Sequence, residues 1–459
     1  MKPVETENRK VVVVGLGKSG LATARFLLRR GALVTITDQA SEARLGDLVV
    51  SARDLGATLE LGGHQDSTFL SADYIVVSPG VPETLAPLKK AAEKGIPVMG
   101  EMELAARFVT KPVAAVTGTN GKTTVTTLLG DMLKASGRQV FVGGNIGAPL
   151  IGFADKGENA DMAVVEVSSF QLDTSETFRP HVAVLLNIAE DHLARYVDFN
   201  AYVRSKGRIF ENQEADDVAV INGADFHVLQ ASKGIRSRKL TFNAGKNTQD
   251  GAVIGDTAVE IVTAGTKTAT ISVTSPLMRA RHNMENIAAA TLAALAMGAT
   301  VEGIQAAVDG FQGLRHRLEY VASIDDVHYF DDSKATNPDA VRRALEFFTS
   351  RVVLLLGGED KGCDYGVLKN VIRERARAVV LFGAAKEKIR MAINGSVSLW
   401  DAGSMAEAVR RAHELAAPGD AVLLSPACSS FDSYESYAHR GDDFCNAVKK
   451  LKEGDHARG

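Results

Sequence analysis

Lys122 stands in Gly118-Thr119-Asn120-Gly121-Lys122-Thr123-Thr124, between a β-branched run and the start of a helical pattern. The common nucleotide phosphate loop reads G-x-x-x-x-G-K-[ST]; here Val116, not glycine, occupies its first position. In such a loop backbone N–H groups cradle phosphates, Lys122 bridges the outer phosphates as a point charge, and Thr123 offers a hydroxyl to Mg²⁺. The same residues also describe a flexible turn followed by a solvated lysine, and the loop alone does not decide between the two. Glu166 ends the apolar run MAVVEV, and His192 closes NIAEDH. At neighbouring strand ends, a carboxylate and an imidazole could complete a metal shell begun by Thr123. Taken singly, His192 reads more readily as a structural or surface histidine.

A second glycine loop lies near the N-terminus. Gly15-Leu16-Gly17-Lys18-Ser19-Gly20 is G-x-G-x-x-G between a strand and a helix, and Asp38 ends the following strand at the distance of a ribose-binding acid. Glycines admit a diphosphate to the backbone, and the helix N-terminus supplies N–H groups and positive dipole. By itself this motif points to a nicotinamide-dependent oxidoreductase, although the diphosphate need not belong to NAD.

Short β-branched runs alternating with helical segments must position these loops. KVVVVG, ALVTITD and DYIVVSPG read as strands, with SGLATARFLLRRG a helix closed by Gly31. The pattern restarts after Lys111-Pro112 with PVAAVT, MAVVEV and HVAVLLN, and again near GFQGLRHRLE with HYFDD, RVVLLLGG, AVVLFG and DAVLLSP. The polar span between residues 243 and 273 has the alternating runs of an antiparallel insert. The chain is therefore expected to be α/β throughout, in three domains: a Rossmann-like unit at 1–100, a central phosphate-loop unit with a mostly parallel sheet at 101–312, and a C-terminal Rossmann-like unit at 313–459. A length of 459 residues suits about three domains. A net charge of −4 provides no global field for nucleic acid or an anionic membrane. Three cysteines without a C-x-x-C pair suggest neither a disulfide framework nor a zinc site, and no apolar run has the length of a membrane span. A cytoplasmic protein is expected.

GTNGKTT, VEVSSFQLD, NIAEDH, YVRSKGRIF, RHNMEN, GLRHRLE, DDSKATNPDA, LGGEDKG and SPACSSFD together resemble the Mur ligases of bacterial cell-wall synthesis. The element DSKATN separates this chain from members that share only the central loop. The resemblance implies ATP-dependent amide formation between D-glutamate and UDP-N-acetylmuramoyl-L-alanine through an acyl phosphate, by a monomer. It implies ATP contacts at Gly118 to Thr124, Asn286, Arg317 and Asp332. Two Mg²⁺ ions are implied at Thr123, Glu166, His192 and Lys206, the last modified by CO₂ to a carbamate. Lys122, Glu166, His192 and Lys206 are thus the implied catalytic set.

The same resemblance transfers the first glycine loop from NAD to the uridine diphosphate, with Gly17, Lys18, Ser19, Asp38, Ser78 and Gly80 around it and Asn145 and Gln171 at the sugar-peptide end. D-Glutamate is implied at Lys361, Thr336, Ser430 and Tyr437. Tyr437 stands where phenylalanine is expected, and Asp331 where asparagine is common, which bears on amino-acid selectivity and not on the reaction. Two readings compete: the nicotinamide-dependent oxidoreductase, which leaves Glu166, His192 and Lys206 unexplained, and a nucleotide-binding regulatory protein, which would not need Lys361 and Ser430.

Overall fold

The computed structural model describes residues 4–82, 84–156, 159–191, 195–245 and 248–456. Among these the strands form three sheets. In the first, β1 (Lys10–Val14), β2 (Leu33–Asp38), β3 (Thr58–Leu61), β4 (Tyr74–Val77) and β5 (Val98–Gly100) are all parallel, in the order β3-β2-β1-β4-β5. The order reverses between β1 and β4, so the ends of these two strands open a crevice, the usual ligand position in a doubly wound sheet.

The second sheet contains β6 (Val113–Thr117), β7 (Val140–Gly144), β8 (Met162–Glu166), β9 (Val182–Leu185), β10 (Val218–Asn222), β11 (Arg238–Phe242), β12 (Gly251–Ile254), β13 (Ala258–Thr263) and β14 (Thr266–Ser272). Its order is β14-β13-β12-β11-β10-β9-β6-β8-β7. Pairing is parallel as far as β12, and β12, β13 and β14 form the antiparallel insert expected from the alternating sequence. Strands β6, β8, β9 and β10 are buried at every position, which explains their unbroken apolar sequences. Because β6 lies between β8 and β9, the loop after β6 is flanked by the ends of both.

The third sheet contains β15 (Glu319–Ile324), β16 (Val327–Asp331), β17 (Val352–Gly357), β18 (Ala376–Phe382), β19 (Ser398–Asp401) and β20 (Ala421–Leu424), in the order β15-β16-β20-β17-β18-β19. Only the β15–β16 pair is antiparallel. Helices with strong apolar stripes cover it. Pro338–Phe347 starts at Pro338 behind Asn337, whose side chain accepts from Ala340 N–H, and Met405–Leu415 is capped in the same way by Ser404.

The chain divides into two compact units. One comprises Met1–Ile188, Tyr202–Thr274 and Met284–Phe311 and carries the first two sheets; the other comprises Ala189–Ala201, Ser275–Asn283 and Gln312–Gly459 and carries the third. Within the first, helix Glu101–Ala106 links the two sheets through buried carboxylates. Glu103 accepts from Thr177 Oγ1 at 2.6 Å, from the amides of Glu176 and Thr177 and from Arg107, and these bonds hold it below the usual carboxylate range although burial opposes them. Among the described residues Glu101 accepts only from Ile151 N–H, at 2.7 Å, and burial pushes it up to about 7.

Candidate active site

The central loop passes from β6 to helix Lys122–Ala135. Gly121 takes the N-cap position in the left-handed region, at φ +87°, and no side chain caps the helix, so its first N–H groups face the loop. A side chain at 121 would be strained by that φ, and its Cβ would sit 2.4 Å from Asn286 Oδ1. Asn187, just after β9, shapes the loop from the other side. Its carbonyl accepts from Thr119 N–H at 2.9 Å, its Oδ1 accepts from Asn120 N–H at 2.8 Å, and its Nδ2 donates to Asn120 O at 3.0 Å. The result is the anion cradle that a helix N-terminus behind a glycine-bearing turn provides.

Five of the expected side chains gather here. Thr123 Oγ1 donates to Glu166 Oε2 at 2.7 Å, and Asn145 Nδ2 donates to Glu166 Oε1 at 2.9 Å. Glu166, 3% exposed, is thereby fixed at both oxygens beside the loop. Lys122 Nζ folds back onto Gly118 O and Thr119 O at 2.9 and 2.8 Å. Lys206, 1% exposed on helix Phe199–Gly207, donates to the same Gly118 O at 2.8 Å and lies 4.7 Å from the centre of the Tyr202 ring. Tyr202 in turn shares a 3.2 Å hydrogen bond with Thr119. Lys206 is therefore among the most buried large side chains of the described residues. Asn286 is buried in the second turn of helix Arg281–Ala296, where its side chain lies against Gly121 of the loop. His192 lies outside the described residues.

The two oxygens of Glu166 and the hydroxyl of Thr123 are hard donors already oriented by hydrogen bonds, a set that suits Mg²⁺ better than a softer metal. A different group of potential ligands, His316, Glu319 and Asp331, also converges. Its atoms answer one another: His316 Nδ1 lies 2.6 Å from Asp331 Oδ2, and Glu319 Oε2 accepts from His316 N–H at 2.8 Å. That pair raises the His316 pKa through the Asp331 hydrogen bond and fixes the backbone beside Arg317 and Asp332.

At the first glycine loop, Gly17 caps helix Lys18–Arg29 without a side-chain hydrogen bond, and Lys18 is exposed. Gly20 must be glycine, since a Cβ there would meet Gly15 O at 1.8 Å. Ser78 Oγ, after β4, donates to Gly15 O at 3.2 Å, which ties the two sides of the crevice; Ser19 is half-buried and Gly80 exposed. Asp38 holds the loop itself: Oδ2 accepts from Leu16 N–H at 2.7 Å and Oδ1 from Ala40 N–H at 2.8 Å. Gln171 is 3% exposed, and its Oε1 is engaged by Ser168 in a capping box, leaving its Nε2 as the group able to reach outward.

The second unit carries the remaining expected residues. Lys361 Nζ, after β17, lies 3.2 Å from Thr336 Oγ1 and 3.3 Å from Asp191 Oδ1, and Asn337 Nδ2 approaches Asp191 Oδ2 at 3.4 Å. Lys361 and Thr336 are thus brought together. Ser430 is buried at the end of the segment after β20. Tyr437 is half-buried with Lys334 Nζ 3.8 Å from its ring centre. Asp332 accepts from Ser425 Oγ at 3.0 Å and from Leu318 N–H at 3.3 Å, and burial raises its carboxyl to about 7 against the opposing pull of Ser425 and Arg317. Arg317 is half-buried.

Arg440, absent from every sequence motif, organises this region. It is fully buried and donates to Ser333 Oγ, Ser333 O, Cys428 O and Ser429 O at 2.8–3.1 Å. It therefore clamps the two segments that carry Thr336 and Ser430.

A phosphate-loop α/β protein with three sheets is the class that this fold and geometry define. The chain belongs to the Mur ligase family: residues 9–100 match the Mur ligase MurD-like N-terminal domain, 116–294 the Mur ligase middle domain, and 316–428 the Mur ligase glutamate ligase domain. It is 48% identical to UDP-N-acetylmuramoylalanine--D-glutamate ligase of Desulfatibacillum aliphaticivorans, over 98% of this chain and 100% of that protein. Identity to the protein of the same name from Koribacter versatilis is 43%, over 98% and 99%. Among solved structures, the fold resembles a pseudomurein peptide ligase type C from Methanothermus fervidus, with TM-score 0.63, 19% identity and coverage of 97% and 100%. It also resembles MurF ligase from Thermotoga maritima in complex with ADP, with TM-score 0.62, 18% identity and coverage of 99% and 98%. Among the described residues no helix is long and apolar enough to cross a membrane.

Proposed function

We propose that this chain joins D-glutamate to UDP-N-acetylmuramoyl-L-alanine with cleavage of ATP to ADP and phosphate, as a cytoplasmic step of peptidoglycan precursor synthesis. The observation that carries the reading is the 48% identity, along the full length of the relative, to a ligase of that name. Domain boundaries near residues 100 and 312 are proposed, and the extents of the three family matches support them.

A carboxylate is a poor acyl donor because its charge repels an amine and oxide does not leave. In the proposed reaction the alanine carboxylate oxygen attacks the γ-phosphorus as the bond to ADP breaks. The amine of D-glutamate then attacks the acyl carbon, loses a proton, and phosphate departs. This chemistry needs positioning and charge neutralisation more than covalent help. The loop N–H groups from Gly118 to Thr124 hold the ATP phosphates, and Lys122 moves from its loop carbonyls to the outer ones. Asn286, Arg317 and Asp332 hold the rest of the nucleotide. Thr123, Glu166, His192 and a carbamylated Lys206 would hold Mg²⁺, which supplies charge neutralisation at the phosphates. Gly17, Lys18, Ser19, Asp38, Ser78 and Gly80 receive the uridine diphosphate, Asp38 by shaping the loop. Asn145 and Gln171 reach the sugar-peptide, while Lys361, Thr336, Ser430 and Tyr437 orient the D-glutamate carboxylates.

The test is phosphate release with ATP, UDP-N-acetylmuramoyl-L-alanine and a panel of amino acids. Release should require both substrates and be fastest with D-glutamate, and Lys122→Ala should abolish it. Equal steady release without an amino acid, or preference for another one, rejects the reading.

A further inference from the structure

The first unit contains a cavity of about 550 Å³ whose lining includes no residue of the phosphate loop or of the glycine loop Gly15–Gly20. Helix Lys18–Arg29 contributes Ala22 and Arg25 to its wall, β7 contributes Phe141, and helix Leu150–Lys156 contributes Gly152, Phe153 and Asp155. The lining is mainly apolar, with the rings of Phe141 and Phe153 tilted against each other at 5.2 Å between centres. Its two charged side chains are in different situations. Asp155 is answered by Arg29 at 2.8 Å and Arg30 at 3.6 Å. Among the described residues Arg25 has neither a hydrogen bond nor an ion pair, so the cavity presents one unanswered guanidinium beside an aromatic wall.

We infer that this cavity binds a small monoanion with an aromatic body, its anionic group on Arg25 and its rings on Phe141 and Phe153. The volume lies within the range of about 300–1,000 Å³ typical of small-molecule sites. A guanidinium fork suits a carboxylate, sulfonate or phosphate, and a planar apolar body suits the remaining wall. A dianion or a polar sugar is disfavoured, since the cavity offers a single free positive charge and few hydrogen-bonding groups. The inference is independent of the ligase reading.

The probe is 8-anilinonaphthalene-1-sulfonate, compared with N-phenyl-1-naphthylamine, which has the same ring system without the charge. Fluorescence titrations are run on the full chain with ATP and the uridine-sugar substrate present, so that those sites are filled. The sulfonate should saturate one site and bind about tenfold more tightly than the neutral dye, as a charge-assisted contact implies. Arg25→Gln should remove that preference and leave the neutral dye unchanged. Gly152→Leu should weaken both dyes by about tenfold or more through filling the cavity. A Cβ at Gly152 meets no atom within 4 Å and the backbone is not left-handed there, so the fold should persist, as a melting curve will report. Lack of saturable binding, equal affinity for the two dyes, a preference that survives Arg25→Gln, or binding unchanged in Gly152→Leu would each overturn the inference.

Discussion

Replacing Arg440 by methionine isolates the role of a guanidinium that contacts no proposed ligand. Its four hydrogen bonds reach Ser333 and the carbonyls of Cys428 and Ser429. Ser429 O also accepts from Glu359 N–H at 2.9 Å and would keep that donor. Ser333 O and Cys428 O would lose the donor the structure gives them, and a buried carbonyl left unsatisfied costs about 1–3 kcal/mol. Two such groups amount to about 2–6 kcal/mol, offset in part because methionine needs no desolvation of a charge, so a loss of about 3 kcal/mol is expected. Burial lowers the Arg440 pKa to about 10, which shows that this desolvation is substantial. For a unit of this size, about 3 kcal/mol corresponds to a melting-temperature drop of about 6–12 °C. The released segments carry Thr336 and Ser430, so the KM for D-glutamate should rise more than the KM for ATP. Calorimetry with kinetics varied separately in each substrate tests both parts. A transition within about 2 °C of the parent, with unchanged D-glutamate KM, would refute the clamp, since the unsatisfied carbonyls alone exceed that effect.

Lys206→Ala should lose at least about a hundredfold in turnover and recover part of it with added formate or acetate, since a free carboxylate can occupy the place of a carbamate; no recovery in a folded variant would leave the carbamate without support. Asn187→Ala removes two side-chain bonds to the phosphate loop at about 1 kcal/mol each, so the KM for ATP should rise by about 30-fold. A change below about threefold would mean that the loop keeps its shape by other means. Glu101, raised from 4.5 to about 7 by burial, keeps a proton in the folded state that the unfolded chain releases. Stability from this group is therefore full below pH 4.5 and is lost as pH rises to 7, by about 3 kcal/mol. Urea unfolding at pH 5 and pH 8 should show that loss in the parent and a smaller one, by that amount, in Glu101→Gln; parallel pH dependences would refute it.

The parallel strands were legible because burial on both faces leaves apolar runs such as VAAV and MAVV. Lys122, Thr123 and Glu166 were legible because a phosphate loop is a local sequence, and because strand ends bring distant residues to one edge. Arg440 was not, since an arginine in a helix sequence carries no sign that it is buried; its partners lie 11 to 107 residues away. Asp38 was found for a partly different reason from the one that makes it necessary: the acid at the end of β2 holds the loop backbone. Asn187 lay inside a recognised motif whose histidine drew the reading, yet the asparagine makes the loop contacts. Read alone, Gly15 to Gly20 favoured a nicotinamide enzyme, and membership of the Mur ligase family decides against it.

Lys122 and Lys206 both rest on the carbonyl of Gly118. Their ammonium groups are thus no farther apart than two hydrogen-bond lengths, and the charge state of one is a boundary condition for the other. Turning Lys206 into an anion would do more than create a metal ligand. It would vacate a shared acceptor, exchange repulsion for attraction, and alter the free energy with which Lys122 leaves the loop for a phosphate. By reciprocity, a nucleotide that draws Lys122 away would change the tendency of Lys206 to react with CO₂. If Lys206 is modified as proposed, Gly118 O would be a thermodynamic junction between that covalent modification and nucleotide affinity.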